Sequence, residues 1–143
     1  MALSADTPRN YDPAVPPMFI DIPGKVSVIF YEGGAVTDDG GNGEADVLTA
    51  SESFIGFVEK GVTTNATTSD INVRVRTQGV LKGVAVTGLT GDTGFGVAVY
   101  MSDNATFTLT STTTNVQIGK VQAYSGTSGY GDVFFQGAVT RSV

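Results

Sequence analysis

The sequence predicts an all-β protein: a small β-barrel or β-sandwich of about eight short strands, preceded by an extended, Pro-rich N-terminal arm. From Lys25 onward, short runs rich in Val, Ile, Phe and Thr alternate with Gly, Asn, Asp and Ser, which is typical of strands joined by tight turns. All five prolines precede Gly24, whereas 18 of the 19 glycines follow it. We therefore divide the chain into an arm, residues 1–24, and a β body, residues 25–143.

The N-terminal arm is expected to form neither a helix nor a central strand, because proline fixes φ and lacks a backbone donor. It nevertheless carries apolar side chains that a solvated linker does not need. We interpret it as a docking arm, since such a segment becomes ordered when its anchors find pockets on a partner. The candidate partner-binding residues are Tyr11, Val15, Pro16, Pro17, Met18, Phe19, Ile20 and Ile22. The alternative is that the arm folds back over its own domain.

Eight strands are expected in the body, and the clearest is the run 71–77. Apolar residues alternate there with Asn72, Arg74 and Arg76, the period of two that gives a strand two different faces. Arg74 and Arg76 either pair with acidic residues of a partner subunit, as possible interface charges, or remain solvated. The predicted strands cover residues 26–31, 54–59, 71–77, 80–86, 97–101, 106–110, 118–124 and 133–139.

The residue types that the sequence lacks disfavour several functions. There is no His and no Cys, which removes the commonest general base near neutral pH, the thiol nucleophile and the commonest metal ligands. The net charge is −6 without a basic run, whereas nucleic-acid binding needs several Lys or Arg side chains to neutralise phosphates. No secretory signal or membrane-spanning stretch is visible. We expect a soluble protein that is not an enzyme, with no cofactor, no nucleic-acid partner and no membrane partner.

Two acidic motifs are candidate sites. The segment from Asp38 to Asp46 clusters oxygen ligands of the kind that calcium prefers, but it departs from EF-hand spacing, so a solvated loop is favoured. Asp92-Thr93-Gly94 matches the tripeptide of aspartic proteases, but those enzymes place the Asp at the end of an apolar strand, and this one follows Gly91 in a turn. An enzyme that works with carboxylates alone remains an alternative.

A succession of short motifs runs through the body and is informative in its order. The motifs are Phe54-Ile55-Gly56-Phe57-Val58, Val73-Arg74-Val75 leading into Gly79-Val80, Gly91-Asp92 before Val97-Ala98-Val99-Tyr100, a Thr-rich stretch over 106–114, Ile118-Gly119-Lys120-Val121 and Val133-Phe134-Phe135. In this order they resemble the small capsid cement, or head decoration, family of tailed bacteriophages. The long N-terminal arm and the extra residues 93–96 depart from that pattern.

The resemblance implies a barrel-like body that forms homotrimers on the capsid exterior, between copies of the major capsid protein. Such a protein is made in the host cytoplasm, is located on the virion, and binds the expanded shell but not its precursor. The alternative is a carbohydrate- or receptor-binding β-sandwich module of a virion tail or fibre. Sugar platforms favour exposed aromatic rings, and the candidates are Tyr11, Tyr31, Tyr100, Tyr124 and Tyr130.

Overall fold

The protein is built from eleven strands in a computed structural model that describes residues 2–39 and 42–138. In chain order the strands are β1 (Met18–Pro23), β2 (Ile29–Phe30), β3 (Ala35–Asp38), β4 (Ala45–Val47), β5 (Phe54–Val58), β6 (Val62–Thr63), β7 (Asn72–Thr87), β8 (Ala98–Met101), β9 (Phe107–Thr108), β10 (Val116–Tyr124) and β11 (Tyr130–Gln136). The described residues form no helix, which confirms the all-β prediction. Accordingly, that part of the chain contains no helix with the length and apolarity of a membrane span.

The strand boundaries differ from the predicted ones in instructive places. The predicted strands 71–77 and 80–86 are one continuous strand, β7, and the predicted strand 26–31 shrinks to the two residues of β2. The last strand begins at Tyr130 and ends at Gln136, while Val139, its predicted end, lies outside the described residues. Four further strands, β1, β3, β4 and β6, lie outside the predicted set.

β7 belongs to two sheet regions at once. Its second half pairs with β11 on one side and with β9 on the other, and β10 and β8 complete a closed ring of five strands. Its first half pairs with β1 and β5, and the sheet continues from β5 through β3 to β4. A parallel bridge between Gly24 and Ala45 brings the chain after β1 to the far edge at β4. β2 and β6 form a separate two-stranded sheet.

The larger core is organised around phenylalanines of β5 and of the ring strands β9 and β11. The ring centroid of Phe57 lies 4.8 Å from that of Phe135, 5.2 Å from Phe54 and 6.0 Å from Phe107, with edge-on or tilted geometry. Such edge-to-face arrangements are preferred by aromatic pairs and add to the free energy gained by burying their surface. Phe57 is fully buried, so it lies at the centre of the cluster.

A second, smaller core is formed by the open part of the sheet. Val73 and Val75 of β7 contribute to it together with Phe30 of β2, and all three are buried. Ile20 and Ile22 of β1 are partly buried against the same cluster. The alternating apolar residues of the predicted strand 71–77 therefore face a core, as their period of two predicts.

Replacing Phe57 by Ala is expected to lower the free energy of unfolding by about 3–5 kcal/mol, because it removes a fully buried ring and leaves a cavity. Phe95→Ala is the matched control: that side chain is 86% exposed, and its loss should change stability by no more than about 0.5 kcal/mol. Urea denaturation followed by circular dichroism measures both. Equal losses in the two variants would contradict the assignment of the core.

Candidate functional site

The N-terminal segment contacts its own body along most of its length. Backbone hydrogen bonds join Thr7 to Glu32 at 2.8 Å and Asp12 to Val80 at 2.9 Å. The amide of Leu3 donates to Oδ1 of Asn104 at 2.9 Å. Together with β1, these contacts place the segment on the body of the same chain, which is the alternative that the sequence left open for the arm.

Tyr11 is the central contact of this segment. It forms an isolated antiparallel bridge with Leu81, and its ring centroid lies 6.0 Å from that of Phe135 in the phenylalanine core. Its hydroxyl is buried and has no hydrogen-bond partner among the described residues. Burial raises the pKa of the Tyr11 phenol well above its ordinary value, with the charges of Arg76, Glu59, Arg9 and Glu32 as lesser influences. Tyr11 therefore acts as a core residue in the single chain.

The two arginines of β7 lie beneath the same segment. The guanidinium of Arg76 is 3.8 Å from the ring centroid of Tyr11, and the Arg76 residue is only 9% exposed. Arg74 lies 4.7 Å from the ring of Phe19 and 3.8 Å from a carboxylate oxygen of Asp21, and it stays about half exposed. Cation–π contact thus joins Arg76 to the N-terminal segment. Of the two predicted interface charges, Arg74 alone remains open to solvent.

Arg9 is a functional part of this contact that the sequence analysis missed. Its Nε donates to the carbonyl of Gly33 at 2.9 Å, and its guanidinium lies 5.1 Å from the ring of Phe107 and 5.8 Å from that of Phe57. Burial lowers the pKa of Arg9 from its ordinary value. A cavity of about 110 Å³ lies beside it, lined in part by Tyr11, Glu32 and Glu59. The available signal was that Arg9, two positions before Tyr11, is the only basic residue of the Pro-rich N-terminal arm.

β1 forms an edge of the sheet. It pairs antiparallel with β7 from Met18 opposite Gln78 to Pro23 opposite Asn72, with a register shift after Met18. Among the described strands it has no partner on its other side. Of the predicted anchors, Pro16, Pro17 and Met18 are exposed and Val15 is half-buried, whereas Phe19, Ile20 and Ile22 contact the chain's own residues. The surface that remains for a partner is therefore the outer edge of β1 with the residues just before it.

The acidic segment after β3 is organised by Lys25. The ammonium group of Lys25 lies 3.2 Å from a carboxylate oxygen of Asp39 and 3.2 Å from one of Asp46. Hydrogen bonds to Asp46 and Asp39 raise the pKa of Lys25. Asp38 accepts a hydrogen bond from the amide of Gly43 at 2.9 Å. A lysine thus pairs with two of the carboxylates that were candidate calcium ligands, and the described residues contain no group of three such ligands close enough to hold a metal ion.

The Asp92 motif lies in an exposed turn between β7 and β8, as predicted, and the amide of Asp92 points to Oγ1 of Thr90 at 3.4 Å. The same loop carries Phe95, which is 86% exposed and which the sequence analysis did not single out. The sequence signal for the exposure of Phe95 was its position between two glycines, Gly94 and Gly96, with no apolar residue directly beside it.

Of the five tyrosines proposed as a sugar platform, four are partly buried and one is exposed. Tyr11 is held in the core contact described above, and Tyr31, Tyr100 and Tyr124 are half-buried. Tyr130 is 46% exposed, at the rim of a hollow of about 300 Å³. Thr87, Thr90 and Ser128, which carry hydroxyl groups, are among the residues that line it. Of the five, Tyr130 is the one that is exposed.

Replacing Tyr11 by Phe is expected to make the protein less sensitive to alkaline pH. Because burial raises the pKa of Tyr11 above 10, the phenol stays protonated in the folded chain at pH values where the unfolded chain ionises. The stabilisation from protonated Tyr11 is complete below the pH at which the unfolded chain ionises. It is lost as the pH rises through the raised pKa of Tyr11 in the folded chain. Urea denaturation at about pH 8 and about pH 11 should show a smaller loss for Tyr11→Phe than for the unsubstituted protein.

Tyr130→Phe is the matched control for this experiment, because Tyr130 is exposed. Its alkaline loss should equal that of the unsubstituted protein. If Tyr11→Phe loses as much stability as the unsubstituted protein, Tyr11 is not buried in the way described.

A scan of protein-family models found no matching family, and a search of curated proteins found no significant match.

Proposed function

We propose that the chain is a structural cement protein that binds the exterior of a phage capsid at inter-capsomer junctions and stabilises the mature shell. The observation that carries this proposal is a well-packed β body that exposes large apolar side chains on its strands and turns. These side chains are Met18, Ile29, Phe95, Val97 and Tyr130. Exposed aromatic and Met side chains are enriched at protein–protein contacts, so they favour an adhesive role.

The distribution of charge supports the same role. Between Gly83 and Gly131 the chain carries three charged residues, Asp92, Asp103 and Lys120. Between Val26 and Phe57, by contrast, it carries six acidic residues and no basic one. The centres of protein interfaces are depleted in charge, because each buried charge must be desolvated. One part of the molecule is thus suited to close contact with protein and another to contact with water.

The proposed mechanism is thermodynamic. A protein that binds the expanded shell of major capsid protein, and not the precursor, stabilises the state to which it binds. At a free concentration of 100 times the dissociation constant, this amounts to about 2.7 kcal/mol for each site. Three sites joined in a homotrimer raise the effective concentration of each, so modest single contacts add up to tight adhesion.

The outer edge of β1 is the proposed contact with the shell. An extended segment of the major capsid protein can add to this edge as a further strand, with backbone hydrogen bonds for affinity. Val15, Pro16, Pro17 and Met18 lie at its start and offer apolar surface. The other anchors of the segment, including Tyr11 and Phe19, stabilise the platform from within.

The purified chain is expected to bind expanded shells of its phage and to raise the temperature at which they open. Precursor shells should bind it much more weakly, since binding must differ between the two states to shift their equilibrium. Co-sedimentation measures the binding, and scanning calorimetry of the shells measures the stabilisation. Equal binding to both shells, or binding without stabilisation, would refute the proposal.

Met18→Glu is expected to weaken shell binding by at least about tenfold, because it places a charge on the proposed contact. Ile29→Glu is the matched control, since Ile29 is 52% exposed on β2, outside that contact. These single substitutions test the β1 contact more specifically than a deletion of residues 2–23 does, because the deletion also removes Tyr11 and β1 from the fold. Thermal denaturation verifies that both variants fold, and unchanged binding by Met18→Glu would exclude β1 as the contact.

A second candidate function, a carbohydrate-binding module of a tail or fibre, is supported by Tyr130 and its hydroxyl-lined hollow. An aromatic ring beside hydrogen-bonding side chains suits the apolar face and the hydroxyl groups of a sugar. On a glycan array this function predicts saturable binding that Tyr130→Ala abolishes and Tyr100→Ala preserves. Absence of saturable binding on the array would remove this candidate.

A further inference from the structure

The loop between β7 and β8, residues 88–97, presents the most exposed large apolar side chain among the described residues. Phe95 is 86% exposed, and Val97, two residues later, is 38% exposed. Gly94 and Gly96 flank Phe95, and a Cβ atom added at either position would meet no other part of the chain within 4 Å. Phe95 therefore stands clear of the rest of the described residues and is free to enter a pocket.

The backbone on both sides of Phe95 is fixed by hydrogen bonds. The amide of Thr93 donates to the carbonyl of Thr90 at 3.0 Å, which closes a turn before it. The amide of Gly96 donates to the carbonyl of Val121 at 2.9 Å. The amide of Val121 in turn donates to the carbonyl of Val97 at 2.8 Å. An aromatic ring on an ordered backbone loses less conformational entropy on binding than one on a flexible loop. Phe95 thus has the features of an anchor residue.

A hollow on the outer side of β10 and β11 lies close to this loop along β10. Its volume is about 340 Å³, near the lower limit for pockets that hold small ligands. Its lining consists of Gln117, Ile118, Gly119, Lys120, Phe134 and Gln136. A Cβ atom at Gly119 would overlap the backbone carbonyl of Phe134, so glycine is required where β10 packs against β11 beside the hollow. Lys120 can place its ammonium group against an aromatic ring that enters.

The anchor and the hollow are both positioned by β10, in the part of the sequence with the fewest charges. Val121 binds the Phe95 loop, and Gly119, two residues earlier, lines the hollow. Two copies that each carry a net charge of −6 repel one another least where charged residues are scarce. A surface with both an anchor and a hollow can bind copies of itself head to tail, and such contacts form a closed ring when the rotation permits.

We propose that Phe95 of one copy inserts into the hollow at Gly119 of a second copy of this chain. This contact is the one through which copies of the chain associate in the proposed function. It does not depend on binding to a shell, so it is tested with the purified chain alone, and the two proposals can fail separately.

Sedimentation velocity over a range of protein concentrations tests the contact. The unsubstituted chain should form a discrete oligomer, and Phe95→Ser should weaken its association by about 10- to 100-fold, as expected for the loss of a buried aromatic ring. Ile29→Ser is the matched control, since Ile29 is 52% exposed on β2, and it should associate like the unsubstituted chain. Circular dichroism should show the same fold in all three proteins.

Each contrary result overturns the proposal. A chain that stays monomeric at all concentrations has no such contact, and a Phe95→Ser variant that associates normally uses another one. Equal weakening by Ile29→Ser would mean that the association is not specific to Phe95.

Disulfide trapping identifies the hollow as the second half of the contact. The chain has no cysteine, so single cysteines introduce the only thiols. Gly94→Cys in one tagged copy and Gln117→Cys in another should form a mixed disulfide on oxidation, because the proposed contact brings these positions together. Gly94 has open space for the side chain. Thr63→Cys on β6 replaces Gly94→Cys in the control, and a mixed disulfide no more abundant than in that control would refute the hollow as the docking site.

Discussion

One strand, β7, contributes side chains to two hydrophobic cores, and the need to bury both sets positions the other elements. Val73 and Val75 in its first half enter the smaller core, whereas Leu81 and Val86 in its second half enter the core of the closed ring. A shift of one residue in its register would turn the apolar side chains of both halves away from their cores together. The pairing of β1, β5, β9 and β11 with β7 is therefore specified jointly. The result is one body in which a change at either core is felt by the strand that both share.

The join between the two halves of β7 is covered by the N-terminal segment. Arg76 is buried at this point, and the ring of Tyr11 lies over its guanidinium. A cation at such a position needs an aromatic or polar cover, because desolvation without compensation is costly. Proline reduces the number of conformations open to the unfolded segment, so ordering it against the body costs less entropy. The segment thus serves the fold through its inner side, and its outer edge remains available to a partner.

The fold class and the inward side of the strand 71–77 could be predicted because a period of two is a local signal. The continuity of β7 could not, since Thr77-Gln78-Gly79 has the composition of a turn. Consecutive burial of Val75, Arg76 and Thr77 follows from the N-terminal segment, which covers the strand from a distance in sequence. β1 was missed because prolines bracket it, although Phe19 to Ile22 alternate as a strand should. The burial of Arg76 and the exposure of Phe95 depend on tertiary contacts that no local pattern encodes.

The prolines around β1 also oppose polymerisation of the protein into fibrils. An unpaired strand edge is a template on which further chains can stack without limit. Pro16 and Pro17 precede this edge and Pro23 ends it, and proline lacks the amide that a growing ladder requires. The register shift after Met18 and the charge of Asp21 interrupt the edge further. An incoming strand therefore finds a short docking place that is limited at both ends, which permits a single peptide to bind and opposes the continuous stacking of an amyloid.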